Sequence, residues 1–141
     1  MNILVLGCTQ IGARLIRRLE TAGNDISLVT ADNAGLKLLD QMEGYSFSGT
    51  ACIGDVIDPD TLRRAGIEHC DAVAAVTDDD SDNLMAAELA QKVFGKTKVL
   101  CLVSDPGLET LYREKMGIDT LCPAKLAADT LAERLGGEAV L

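Results

Sequence analysis

A chain of 141 residues with 48% apolar and 3% aromatic side chains holds enough aliphatic material for one substantial core and is short for two domains. Its formal net charge of −9, from 22 acidic and 13 basic side chains, argues against nucleic acid or an anionic lipid surface as a general partner. No apolar stretch approaches the roughly 20 residues of a membrane-spanning helix and no basic-then-apolar leader opens the sequence, so a soluble, cytosolic protein without direct membrane insertion is expected.

Short aliphatic runs alternate with helix-length amphipathic segments throughout, the pattern of a parallel sheet with helices on both faces. The first run, Asn2 to Leu6, predicts a strand that delivers the turn Gly7-Cys8-Thr9-Gln10-Ile11-Gly12 into a helix. A strand, a glycine turn and a helix N-terminus together present main-chain N–H groups to a phosphate. Of the three glycines in a dinucleotide fingerprint, Gly7 supplies the tight turn and Gly12 the close strand–helix packing, while Thr9 takes the middle position. Gly7 and Gly12 suit a phosphate-binding turn and also a turn kept for packing alone. Thr9 offers a hydroxyl to a phosphate, while its Cβ holds a diphosphate farther from the backbone.

The helix after this turn places Ile11, Leu15 and Leu19 on one face, leaves Arg14, Arg17 and Arg18 solvated, and ends at Gly23-Asn24. A second strand runs from Ile26 to Thr30, and Asp32 is the first carboxylate after it, placed either to reach a ribose or to start the next helix. No arginine stands nearby to receive a 2′-phosphate, which disfavours NADP relative to NAD or an adenine mononucleotide. The third strand, Thr50 to Ile53, leads to Gly54-Asp55, where Asp55 either approaches an adenine or fixes the turn. Asp58-Pro59 opens a helix that Gly66 closes.

The fourth strand, Ala72 to Val76, ends in Thr77-Asp78-Asp79-Asp80-Ser81-Asp82, which in a doubly wound sheet faces the glycine turn across the switch point. The carboxylates suit the N-terminus of the next helix better than a cation site, with Ser81 or Asp82 as its cap and Thr77 and Asp78 as candidate ligand contacts. That helix carries Leu84, Met85, Leu89, Ala90 and Val93. A fifth strand spans Lys98 to Val103, Asp105-Pro106 starts another helix, and a short sixth strand covers Asp119 to Leu121. The last helix, Ala124 to Leu135, is amphipathic through Leu126, Ala127, Thr130, Leu131 and Leu135 and stops at Gly136-Gly137. Six strands give an α/β, three-layer, Rossmann-like sheet of order 3-2-1-4-5-6.

Catalytic and metal constellations are sparse. Cys8, Cys52, Cys70, Cys101 and Cys122 are widely spaced and read as reduced core or turn residues. His69 is the lone histidine, in a polar connection, and no cysteine pair has zinc spacing. Tyr112 and Lys115 lack the spacing of a reductase pair, and no nucleophile has a base beside it.

These residues resemble the N-terminal nucleotide-binding domain of the Trk/Ktr potassium-uptake regulators, the RCK/KTN or TrkA-N domain. The resemblance rests on the glycine turn, Gly54-Asp55-Val56-Ile57-Asp58-Pro59-Asp60-Thr61-Leu62, Ala65-Gly66-Ile67, and Asp71-Ala72-Val73-Ala74-Ala75-Val76-Thr77-Asp78-Asp79-Asp80. It continues through Asn83-Leu84, Asp105-Pro106 and Pro123, and so covers nearly the whole chain. It implies a non-catalytic domain that binds NAD(H) or AMP, ADP or ATP, self-associates as a dimer or larger ring, and regulates an integral-membrane potassium transporter or channel. Such a domain is cytoplasmic and reaches the inner face of the membrane only through its partner. By position, the ligand lies against Gly7 to Ile11, Thr30, Asp32, Asp55 with Val56, and Thr77 with Asp78. Thr9, Thr30 and Cys101 depart from the family's usual middle glycine, acidic residue and fifth-strand arginine. The chain stops at Leu141 without room for the C-terminal lobe of many family members, as expected for a single-lobe protein, half of a split regulator or a fragment. The face around Leu126 and Leu131 suits either a second copy or packing onto the sheet. Two other readings compete: a small NAD-dependent oxidoreductase, which would need a substrate domain and a proton donor, and a scaffold that has kept the fold and lost its ligand.

Overall fold

A computed structural model describes residues 1–136. Six parallel strands, β1 (Asn2–Leu6), β2 (Asp25–Thr30), β3 (Thr50–Ile53), β4 (Ala72–Ala75), β5 (Val99–Leu102) and β6 (Asp119–Leu121), form one sheet of order β3-β2-β1-β4-β5-β6. Pairing is in phase along the sheet, with Val5 opposite Leu28 on one side and Ala74 on the other. The expected order is therefore the observed one, and strand ends differ by a residue or so: β2 begins at Asp25, β4 stops at Ala75 and β5 covers Val99–Leu102.

The helices are α1 (Gln10–Thr21), α2 (Asn33–Asp40), α3 (Pro59–Arg64), α4 (Asp80–Glu88), α5 (Pro106–Met116) and α6 (Pro123–Arg134). Strand alternation sends Ile3 and Val5 into a cluster with Ala13, Ile16 and Leu39, on the side of α1 and α2. Leu4 and Leu6 point the other way, against Leu62, Ala86, Ala90 and Tyr112 on the side of α3, α4 and α5. Both faces of the central strands are thus covered, and Leu4, Val5 and Leu6 are fully buried. Each fully buried aliphatic side chain of this size contributes about 1.5–3 kcal/mol.

Local chemistry sets the helix ends. Asp58 accepts from the Asp60 N–H at 3.1 Å with Pro59 in the first turn, and Asp105 accepts from the Gly107 N–H at 2.8 Å with Pro106 in the same place. Gly23 and Gly66, at φ +95° and +90°, carry the chain out of α1 and α3 as the sequence predicts.

Two expectations need correction. In α1 the buried residues are Gly12, Ala13 and Ile16; Leu15 and Leu19 flank them, and Ile11 is 44% exposed. The stripe is rotated because Gly12, not a large side chain, makes the closest approach to the sheet. In α4 the cap is Asp79, which accepts from the Asp82 N–H at 2.9 Å, rather than Ser81 or Asp82. Beyond Glu88 the helix widens into a π-helical turn at Leu89–Val93, with the Phe94 N–H bonded to the Leu89 carbonyl at 3.1 Å. Ala86, Ala87 and Ala90 are buried while Met85 and Val93 face outward, and the wider turn shifts the helical phase from Leu89 onward.

At α6 the structure decides between the two alternatives that the sequence leaves open. No residue of it is buried among the described residues, and Leu126, Leu131 and Leu135 are 48%, 62% and 86% exposed. Packing of this stripe onto the chain's own sheet is therefore not what occurs. Gly136 has φ +87° beyond the helix, and Gly137 lies outside the described residues.

Candidate functional site

Above the carboxyl ends of β1 and β4 lies a cleft of about 1250 Å³, bounded by the turns after β1, β2, β3, β4 and β5. Its floor is the glycine turn. Gly7 sits at φ +105°, and a Cβ there would lie 2.8 Å from the Thr77 methyl and 2.9 Å from the Thr77 main chain, so only glycine lets the tips of β1 and β4 meet. At Gly12 a Cβ would come within 2.5 Å of the Gly7 carbonyl, which is why the helix begins so close to the strand. The first and third fingerprint glycines have the geometric roles read from the sequence.

Thr9 is the N-cap of α1. Its Oγ1 accepts from the Gly12 N–H at 3.2 Å and donates to the Val76 carbonyl at 3.0 Å. In this structure the hydroxyl proton is therefore engaged by Val76 rather than directed into the cleft. The Gly7 N–H is likewise used, by the Val29 carbonyl at 2.8 Å. The N–H groups of Cys8, Thr9, Gln10 and Ile11 meet no acceptor among the described residues, and all four residues line the cleft. They are unpaired donors at the N-terminus of α1, the end at which the helix dipole is positive.

The remaining walls are built by short-range bonds. Asp32 caps α2, accepting from the Ala34 N–H at 3.0 Å, and also lines the cleft. Thr30 is buried, its hydroxyl directed at the Asp32 carbonyl at 3.3 Å. Asp55 accepts from the Ile57 N–H at 3.1 Å, the turn-fixing role, and borders the cleft together with Val56. Thr77 and Asp78 line the opposite side. Eleven of the twelve residues proposed from the sequence converge here, and Gly12 lies behind them as packing.

Sequence reasoning missed the residues that hold this end of the sheet rigid. Asn83, only 1% exposed, accepts from the Thr77 N–H at 2.8 Å and from the Thr77 hydroxyl at 2.6 Å, and donates to the carbonyls of Thr77 and Leu102 at 3.0 and 3.1 Å. One side chain thus ties the ends of β4 and β5 together. Asp80 accepts from the Ser104 N–H at 2.9 Å and its hydroxyl at 2.7 Å, joining α4 to the turn after β5. Gly35 lets α2 press on Thr30 and Cys8, whose thiol donates to the Gly35 carbonyl at 3.0 Å. A polar residue within an apolar helical stripe, for Asn83, and a glycine inside a helix, for Gly35, were the signals available.

Burial pushes the Cys8 thiol up to about 11, so it is an inert wall of the cleft at neutral pH. Asp82 is raised by partial burial and then by the charges of Asp79 and Asp55. Cys101 is buried below the cleft, with its thiol pushed up to about 12 by burial and by Asp80. Tyr112 is buried in the core away from the cleft, and His69 sits in a single 3₁₀ turn at Ile67–His69. Among the described residues no cluster of histidine, cysteine and carboxylate is arranged to hold a metal ion, and no helix is long and apolar enough to cross a membrane.

The model of the TrkA-N domain matches residues 3–123. The chain belongs to the TrkA-N domain family. Among curated relatives, the Trk system potassium uptake protein TrkA of Streptomyces coelicolor is 35% identical over 135 residues, covering 96% of this chain and 58% of that protein. The TrkA-N chain thus spans little more than half the length of that relative. Solved structures share the fold: the Shewanella denitrificans Kef CTD in AMP bound form has a TM-score of 0.79 at 18% identity, covering 99% of this chain and 84% of that one. GsuK bound to ADP has a TM-score of 0.74 at 20% identity, covering 95% of this chain and 33% of that one.

Proposed function

We propose that this TrkA-N chain is a non-catalytic sensor that binds an adenine nucleotide, NAD(H) or AMP, ADP or ATP, and thereby regulates a membrane potassium transporter or channel. The observation that carries this reading is the row of unused N–H groups from Cys8 to Ile11 at the N-terminus of α1, opening into the cleft at the sheet's switch point. In the proposed pose the phosphates rest on those N–H groups, the ribose reaches the second carboxylate oxygen of Asp32, and the adenine runs toward Asp55 and Val56, with Thr77 and Asp78 closing the other side. The AMP-bound and ADP-bound forms of the two fold neighbours, and the potassium-uptake name of the Streptomyces relative, support the ligand class and the process.

Regulation stems from differential affinity: a ligand that binds one arrangement of subunits better shifts the population toward it. We infer that self-association uses the open face of α6, supported by the exposure of Leu126 and Leu131 and of Leu100 and Leu121 at 38% and 40% on the outer strands. The domain acts at the cytoplasmic face of the membrane through its partner.

The direct test is thermal unfolding with NAD⁺, NADH, AMP, ADP and ATP in parallel. A ligand at 100 times its Kd adds about 2.7 kcal/mol, which for a domain of this size raises Tm by about 5–10 °C. The expected result is such a rise with at least one nucleotide and no consumption of NADH. No rise with any of the five would overturn nucleotide sensing and favour the ligand-free scaffold.

A further inference from the structure

The cleft offers a ligand main-chain donors but no cationic side chain. Asp32, Asp55, Asp78, Asp79, Asp80 and Asp82 all line it, and among the described residues no lysine or arginine does. The guanidinium of Arg64, near Gly54, is directed to the Thr61 hydroxyl at 3.3 Å and is not part of the wall. Residues 137–141, Gly-Glu-Ala-Val-Leu, contain no basic residue. Four of the carboxylates are anchored: Asp32 and Asp79 as caps, Asp55 in its turn and Asp80 on Ser104. Swinging aside for an arriving anion would cost each of them its hydrogen bonds. The upward shift of Asp82 has the charges of Asp79 and Asp55 among its causes, a sign that the negative field spans the cleft.

Against this, the N-terminus of α1 supplies the equivalent of roughly half a positive charge. That partly offsets one phosphate and leaves further anionic groups opposed by the aspartates. Screening within a cleft narrower than one or two Debye lengths is incomplete. We propose that the site selects among adenine ligands by net charge, admitting AMP and NAD⁺, whose nicotinamide cation offsets one phosphate, and rejecting ATP that lacks a divalent counterion. This rests on the nucleotide reading above and deepens it.

Isothermal titration of the full chain with NAD⁺, AMP, ADP and ATP, in EDTA at low ionic strength, tests it. Affinity should fall at each added charge, with ATP at least about tenfold weaker than AMP, and the gap should shrink severalfold in about 0.5 M salt or with magnesium. Asp82→Asn removes a carboxylate that makes no hydrogen bond among the described residues, and should narrow the AMP-to-ATP gap about twofold while its melting curve stays cooperative. ATP binding as tightly as AMP in EDTA overturns charge selection and leaves nucleotide sensing intact. Failure of all four ligands to bind overturns both.

Discussion

α1 and α6 are each twelve residues long, each comes directly after a parallel strand, and each carries an apolar stripe, yet the molecule uses them in opposite ways. α1 buries Gly12, Ala13 and Ile16 and its start forms the floor of the cleft. α6 buries none of its residues among those described. α1 is the crossover from β1 to β2, and the return to a neighbouring parallel strand forces it down onto the sheet. Amphipathicity states that a face will be covered; it does not say by what.

That contrast can be broken or sharpened by substitution. Ile16→Ala should cost about 2–5 kcal/mol in urea unfolding, because Ile16 is fully buried between sheet and helix. Leu131→Ala in the dilute protein should cost less than about 0.5 kcal/mol, and a loss near that of Ile16→Ala would show that α6 is covered within the chain. If stability instead rises with protein concentration and Leu131→Asp removes the rise, the cover is a second copy. Gly12→Ala should cost about 1–3 kcal/mol, since its Cβ would meet the Gly7 carbonyl at 2.5 Å, and nucleotide affinity should fall with it. Thr9→Ala should cost about 1 kcal/mol through loss of the cap and of the bond to Val76.

The sheet was legible because parallel strands buried on both faces read as continuous aliphatic runs, and the caps at Asp32, Asp58 and Asp105 because an aspartate directly precedes each helix. At Asp78 to Asp82 four carboxylates competed for one cap. The choice of Asp79 was made by Asn83, which holds Thr77 from one turn further along the chain. Residue spacing carries no mark of such a bond. The rotated stripe of α1 and the widened turn after α4 escaped for a related reason, since ideal helical periodicity assumes that the largest side chains make the closest contacts and that every turn has the same pitch. The outline of the cleft was readable as a set of strand ends; the engagement of the Thr9 hydroxyl was not, because Val76 meets it only across the sheet.

Pro123 is at once part of the cleft wall and the first residue of α6. Since none of its described residues is buried, α6 projects from the pocket's rim, about 18 Å long at 1.5 Å per residue. A tilt of only about 10° about Pro123 would carry the far end through about 3 Å. Small adjustments of the cleft wall would therefore be magnified at the far end of this helix.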